Sequence, residues 1–301
     1  ALAEEVGKKQ GKIFDPFDLI CHVAFDRPAL TRKERAEQVK KKDVFAKYGE
    51  QARAGNGTVS EALISSTARA LQEANRTPEM LDMLATRAHF YPTPANFKQL
   101  GIIFLQNAPD NRGMTLDVLR GMSAAGAMDD RRFYLEHAQD AAEEGLPGEA
   151  VAVIQAARAA GLAQAGDRSF NEIYTLQQAK VAEDRASLAA SARRAATVAD
   201  ARLATLTGDA YLSYGENQQA LAMYELAKTK TGADMDLLNT HIGIAHFRSG
   251  NLTAADAAFA AVRGQRLTIA NLWRALIASR QRPAAAPAAT TAPTPPAAPA
   301  S

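Results

Sequence analysis

The chain has 301 residues, 47% of them hydrophobic and 6% aromatic, with 35 Lys and Arg against 33 Asp and Glu for a formal net charge of +2. That length exceeds what one small core needs and predicts two domains or one extended array. A near-neutral balance excludes the dense basic face of a direct nucleic-acid binder. The single cysteine, Cys21, excludes an intrachain disulfide and a cysteine-based zinc cluster, and no apolar run approaches the roughly 18–20 residues of a membrane span.

Residues 1–12 are polar and glycine-punctuated. Glu4, Glu5 and the stretch Gly7–Lys12 interrupt any apolar core, so no signal peptide is expected at Ala1. GKKQGK at 7–12 is one residue short of a phosphate loop between its glycines, and Ile13 stands where a magnesium-binding Ser or Thr belongs. Asp15-Pro16 and Arg27-Pro28 then bracket an apolar stretch, Phe17 to Phe25. Thr31 and Glu34 form a capping box that opens a charged helix with Val39, Val44, Phe45 and Tyr48 as sparse apolar contacts. Lys40, Lys41 and Lys42 read as a solvated face.

On these residues, KIFDPFDLICHVAFDRPALTRKERAEQVKKKDVFAKYGEQARA at 12–54 resembles the carboxy-terminal helical region of the restriction subunit of type I restriction–modification enzymes. The resemblance is carried by DPFDLICHVAFDRPALTRKERAEQV and the following KYGEQAR. It implies a cytoplasmic segment that helps dock the subunit onto the methyltransferase core. The phosphate loop, helicase boxes and clustered nuclease carboxylates of that family have no counterpart here. Where the family continues its last helix, this chain has Gly55-Asn56-Gly57-Thr58, a junction that a helix does not readily cross.

From Val59 to residue 280 the pattern is helical almost throughout, which makes the expected fold class all-α. Thr58 or Ser60 caps a helix carrying Leu63, Ile64, Ala68 and Leu71, and Thr77-Pro78-Glu79 starts the next. Tyr91-Pro92-Thr93-Pro94 is a rigid connector. After it, landmarks recur at a fixed offset: Gly208 with Gly243, Gly215 with Gly250, Ala220 with Ala255, and Tyr224 with Phe259, each pair 35 residues apart (243 − 208 = 35). Two helix-length segments around a Gly turn at such a period mark a helical repeat. Phe97-x-x-Leu100-Gly101-x-x-Phe104 repeats the first-helix pattern. A further copy is read at Ala138, Ala141, Gly145, Ala150, Ile154 and Ala157. Residues 162–200 are helical without the turn Gly or the aromatics, and their place in the repeat is open. Gly101, Phe104, Gly208, Tyr211, Ala220, Tyr224, Gly243, Ala255 and Phe259 are assigned to packing, the small residues admitting a close helix approach and the aromatics filling the groove beside it.

With W-x-x-L-G-x-x-Y-like first helices and small–aromatic second helices, this region resembles the tetratricopeptide repeat superfamily. The resemblance implies a right-handed superhelical solenoid of helical hairpins that offers a concave groove to a protein or peptide and performs no catalysis. Helical phase puts Lys98, Ile102, Leu105 and Gln106 on that groove, then Leu135, Gln139 and Glu143. Next come Arg202, Asp209, Leu212 and Ser213, and finally Thr240, Ile244, Phe247 and Arg248. HFYPTPANFKQLG and EEGLPGEAVAVIQAA are similar to exported repeat proteins of Gram-negative bacteria, in contrast to the cytoplasmic amino-terminal segment.

No catalytic or metal-binding constellation is read. His241 and His246 are five apart, not the four that aligns metal ligands on a helix, and His246 fills the aromatic slot of its repeat. Asp129-Asp130 and Glu143-Glu144 diverge on a helix and read as capping or solvated residues. Trp273, with Leu272, Leu276 and Ile277, seals the last repeat. Residues 281–301 end the chain in an Ala/Pro/Thr-rich disordered tail. The sequence therefore predicts a non-enzymatic scaffold without cofactor or small-molecule substrate, whose partner is a protein or peptide. The alternative is a subunit or remnant of a restriction–modification complex, touching nucleic acid only through that complex. A third reading is a fused reading frame joined near Gly55.

Overall fold

The computed structural model describes residues 61–107 and 111–282, which form twelve α-helices and one 3-10 turn. The amino-terminal segment, the 55–58 junction and the expected tail from residue 283 on lie outside the described residues. The helices are α1 Glu61–Glu73, α2 Thr77–Phe90, α3 Pro94–Asn107, α4 Arg112–Ala124, α5 Arg131–Glu143 and α6 Pro147–Ala159. They continue with α7 Arg168–Thr197, α8 Arg202–Ser213, α9 Asn217–Lys228, α10 Met235–Arg248, α11 Leu252–Ala261 and α12 Leu267–Gln281, the turn Gly264–Arg266 preceding α12. The fold is all-α, with helices packed in sequential pairs: α1 on α2, α5 on α6, α8 on α9, α10 on α11.

The starts and stops follow local chemistry. Asn111, Asp130, Asp234 and Asn251 cap α4, α5, α10 and α11 by accepting first-turn backbone N–H groups. Thr77-Pro78 opens α2 with proline in the first turn. Between paired helices, Gly215 and Gly250 sit at φ +73° and +78°, a left-handed conformation that costs glycine little. They close α8 and α10 identically. Glu216 N–H donates to the Tyr211 carbonyl at 3.0 Å and Asn251 N–H to the His246 carbonyl at 2.9 Å, the six-to-one bond of a Schellman motif.

All nine residues assigned to packing are buried. A Cβ on Gly208 would lie 2.5 Å from the Tyr224 ring, and one on Gly243 would lie 2.6 Å from the Phe259 ring. Each aromatic therefore rests directly on the bare backbone of the partner helix. In the α3–α4 pair the flexible Met122 takes that place over Gly101, 2.3 Å from where a Cβ would be. The small residues Ala138, Ala141, Ala150 and Ala157 bring α5 and α6 together with no exposed area. Ile64 and Leu71 of α1 are likewise at 0%.

Two features differ from the expected linear array. Residues 168–197 form one continuous 30-residue helix and not a hairpin, because no Gly or Pro interrupts their Ala-rich sequence. In addition, α12 does not stop at its neighbour α11. It lies along α2 and touches α4 and α10, so the end of the described chain returns to its beginning. Repeats in a linear array contact only the next repeat; here Trp273 bonds to Asp117, 156 residues earlier.

Gly208→Val should lower stability by about 1–3 kcal/mol, since the added methyls drive the Tyr224 ring off its seat. Urea unfolding checks this, and an unchanged midpoint would show that the ring has room to move.

Candidate functional site

On α4, Asp117 and Arg120 stand one turn apart on the buried side, next to Met114, Val118 and Gly121. A charge on an apolar helix face must be paired or neutralised, and the neighbouring helices supply the pairs. Arg120 forks onto Glu149 of α6, Nε to Oε1 at 2.8 Å and Nη2 to Oε2 at 2.5 Å, and Nη1 donates to Asp117 Oδ1 at 2.8 Å. His137 of α5 lies 2.9 Å from Glu149 Oε1. Asp117 Oδ2 accepts from Arg266 Nη1 of the 3-10 turn at 2.6 Å and from His241 Nε2 of α10 at 3.2 Å. The other ring nitrogen of His241 donates to Asp209 Oδ1 of α8 at 2.7 Å, and Tyr224 of α9 donates its hydroxyl to the same oxygen at 2.8 Å. Trp273 Nε1 of α12 donates to the Asp117 carbonyl at 3.3 Å. One network thus ties eight elements together around Asp117, whose side chain is 0% exposed.

The pairing settles the charges. Burial alone would raise the Asp117 pKa, but His241, Arg266 and Arg120 outweigh it and hold the carboxyl well below the usual carboxylate range. Burial alone would lower His241; Asp117 and Asp209 outweigh it and raise its pKa to about 9. His241 is therefore a cation at neutral pH, donates from both ring nitrogens and has no lone pair to act as a base. Among the described residues no group of His, Cys, Asp and Glu is arranged to hold a metal ion.

Over this network opens a cleft of about 840 Å³, lined by Arg112, Glu144, Arg202, Leu206, Asp209, Asp234, Asp236, His241, Gln265 and Arg266. A smaller recess of about 270 Å³ shares Gly113, Glu144, Leu206, Asp209 and His241 with it and runs in between Leu116, Leu146, Leu188 and Leu203. The larger lining carries four carboxylates, four basic groups including the charged His241, and few apolar side chains.

The residues expected on one groove do not come together. Arg202 and Asp209 line this cleft. Lys98 and Ile102 line a separate one of about 590 Å³ beside Asp129, to which Lys98 pairs at 2.6 Å. Gln106 and Gln139 are exposed, and Arg248 donates to the Leu212 carbonyl at 3.0 Å. Leu212, Thr240 and Phe247 are corrected: at 0%, 0% and 2% exposure they are core residues, Phe247 because Trp273 of α12 sits edge-on against it at 5.1 Å. Asp130 is a cap and Glu143 pairs with Arg112 at 2.6 Å. His246 is half-buried.

The sequence reading missed the network. One signal was present: Asp117 and Arg120 interrupt the otherwise apolar MTLDVLRGM. The other members are scattered from His137 to Trp273 and individually look like surface charge or packing.

By fold, the described region belongs to the all-α proteins built from sequentially paired helices. Comparison with known proteins speaks to the other end of the chain. Residues 1–69 match the family model described as EcoEI R protein C-terminal. Over 53 residues the chain is 58% identical to the type I restriction enzyme EcoAI endonuclease subunit of Escherichia coli, covering 18% of this chain and 6% of that protein. The family match runs past the expected boundary at residue 54 into α1. No tetratricopeptide repeat family model matches.

Because His241 has a higher pKa in the folded chain than its ordinary 6.5, its contribution to stability is full below pH 6.5 and is lost as the pH rises through about 9. Unfolding free energy measured across that window should fall, and His241→Gln should flatten the fall. A slope unchanged by the substitution would rule out His241 as its source.

Proposed function

We propose that residues 61–282 act as a non-enzymatic scaffold of the tetratricopeptide type, a superhelical array of helical hairpins that binds a protein or peptide segment. The observation that carries this reading is the Gly–aromatic contact made twice at the same spacing, Gly208 under Tyr224 and Gly243 under Phe259. It is supported by the mixed-charge cleft beside Arg202 and Asp209, and by an ionic network with every ring nitrogen of His241 engaged. Affinity capture with the full chain from a bacterial lysate should return a partner set that Arg202→Glu and Lys98→Glu deplete. Identical sets for all three proteins would sink the proposed surfaces.

A second reading concerns the chain's association, and the comparisons support it better than they support the first. The 58% identity over 53 residues favours a subunit or remnant of a type I restriction–modification complex, with the segment matched at residues 1–69 as its docking part. The activity of the relative is not carried over, since this chain spans only 6% of its length. Coexpressed with the methyltransferase and specificity subunits, the full chain should copurify with them, and deletion of residues 1–54 should abolish this. Failure of the full chain to copurify would end the reading.

A further inference from the structure

In the recess that opens off the cleft, the charged groups with hydrogen-bonding capacity to spare are all acceptors. The recess holds about 270 Å³, and its charged lining is three carboxylates, Glu144, Asp184 and Asp209, with two cations, Arg120 and His241. Both cations are spent. Arg120 gives Nε, Nη1 and Nη2 to Glu149 and Asp117, and His241 gives its ring nitrogens to Asp209 and Asp117. The carboxylates are not. Asp209, its side chain 16% exposed, takes Tyr224 and His241 on Oδ1 alone, and its Oδ2 meets no donor among the described residues. Asp184 accepts the Tyr214 hydroxyl on Oδ2 at 2.6 Å, and its Oδ1 is open in the same way. Glu144 has Arg112 at 4.0 Å, but the shorter contact of that arginine is to Glu143 at 2.6 Å. Arg185, the neighbour of Asp184 in sequence, pairs with Glu216 at 2.7 Å.

Much of the remaining wall is apolar. Leu116, Leu146 and Leu188 are no more than 5% exposed, and Leu203 lines the recess with them. Leu206, 48% exposed, lines both the recess and the open cleft. The hydroxyls of Ser187 and Thr207 donate back to the Asp184 and Leu203 carbonyls, which uses their protons. Acceptors held on α7, α8 and the end of α5 thus face a leucine-walled space that supplies them no charged donor of its own. An anion meets repulsion there, and an apolar group leaves the carboxylates dry and unanswered. The complement is a cation on an aliphatic stem. Of the two side chains with that form, arginine fits better. Its planar fork delivers up to five N–H donors to separate oxygens, its guanidinium is less strongly hydrated than an ammonium, and its stem can lie along the leucines.

We propose that this recess is the anchor site for an arginine side chain of the partner polypeptide, with Asp209, Asp184 and Glu144 as its acceptors. The assignment rests on the scaffold reading of the described region and gives that partner a chemistry. The partner carries an arginine on an accessible segment, and the recess supplies both the charge and the apolar wall for it.

The test is calorimetric titration of the full chain with blocked pentapeptides, Ala-Ala-Arg-Ala-Ala and the same sequence with Lys or Gln at the centre, and with free agmatine. Two variants accompany the wild type: Glu144→Gln with Asp184→Asn, which removes charge without volume, and Ser187→Trp, which fills the recess without changing charge. Urea unfolding checks that each is folded. The arginine peptide should bind the wild type saturably, the lysine peptide more weakly and the glutamine peptide not at all. The double variant should weaken the arginine peptide by about tenfold, and Ser187→Trp should abolish its binding. Equal binding of the arginine and glutamine peptides overturns the proposal, as does arginine-peptide binding that folded variants leave unchanged. Equal binding of the lysine peptide overturns the choice of arginine, and uptake of agmatine with refusal of every peptide overturns the polypeptide source. If the arginine peptide is refused while Arg202→Glu still depletes the captured partners, the recess assignment fails and the scaffold reading stands.

Discussion

Asp117 carries a charge at a position with no access to water, and that constraint runs through much of the described architecture. A buried carboxylate with one partner removed costs about 3–5 kcal/mol, so each group that pairs with it must be held in register. Arg120 reaches it from the next turn of the same helix, but His241 and Arg266 come from segments more than 100 residues later. The geometry of α10, the 3-10 turn and α12 relative to α4 is thereby set by hydrogen bonds that have direction, where apolar packing alone would tolerate sliding. A buried ionic cluster is weak evidence for added stability. What it does here is join α4 to segments from across the chain.

Around that hub the packing is made by contrasts of size. Gly208 and Gly243 give up side chains so that Tyr224 and Phe259 can lie on the backbone, and the alanines of α5 and α6 bring those helices together without exposed area. Tyr224 joins the two systems, since its ring packs on Gly208 while its hydroxyl bonds to Asp209 of the charge network. A substitution at either place is felt at the other.

The return of α12 to α2 changes what surface is left for a partner. Part of the groove that helical phase predicts is filled by the chain's own helix, which buries Phe247 and joins Arg266 to the floor of the remaining cleft. The described region keeps an open mixed-charge cleft, while the apolar face that helical phase assigns to Phe247 is covered by α12. The match to a restriction-subunit region covers residues 1–69 and so overlaps α1.

Local sequence determined a good deal. The Gly turns at 215 and 250, the capping role of Asp130, the proline start of α2 and the small–aromatic pairs of α8–α11 were legible because each depends on residues within one or two turns, or on a 35-residue recurrence visible in the chain. The continuity of α7 was left open, and the structure resolves it as one helix. The Asp117 network, the burial of Leu212, Thr240 and Phe247, and the return of α12 to the first helices belong to tertiary structure alone. Helical phase says which residues share a face, but not which distant helix will cover it. A charged residue is read as solvated until the groups that neutralise it, brought from across the chain by packing, are known.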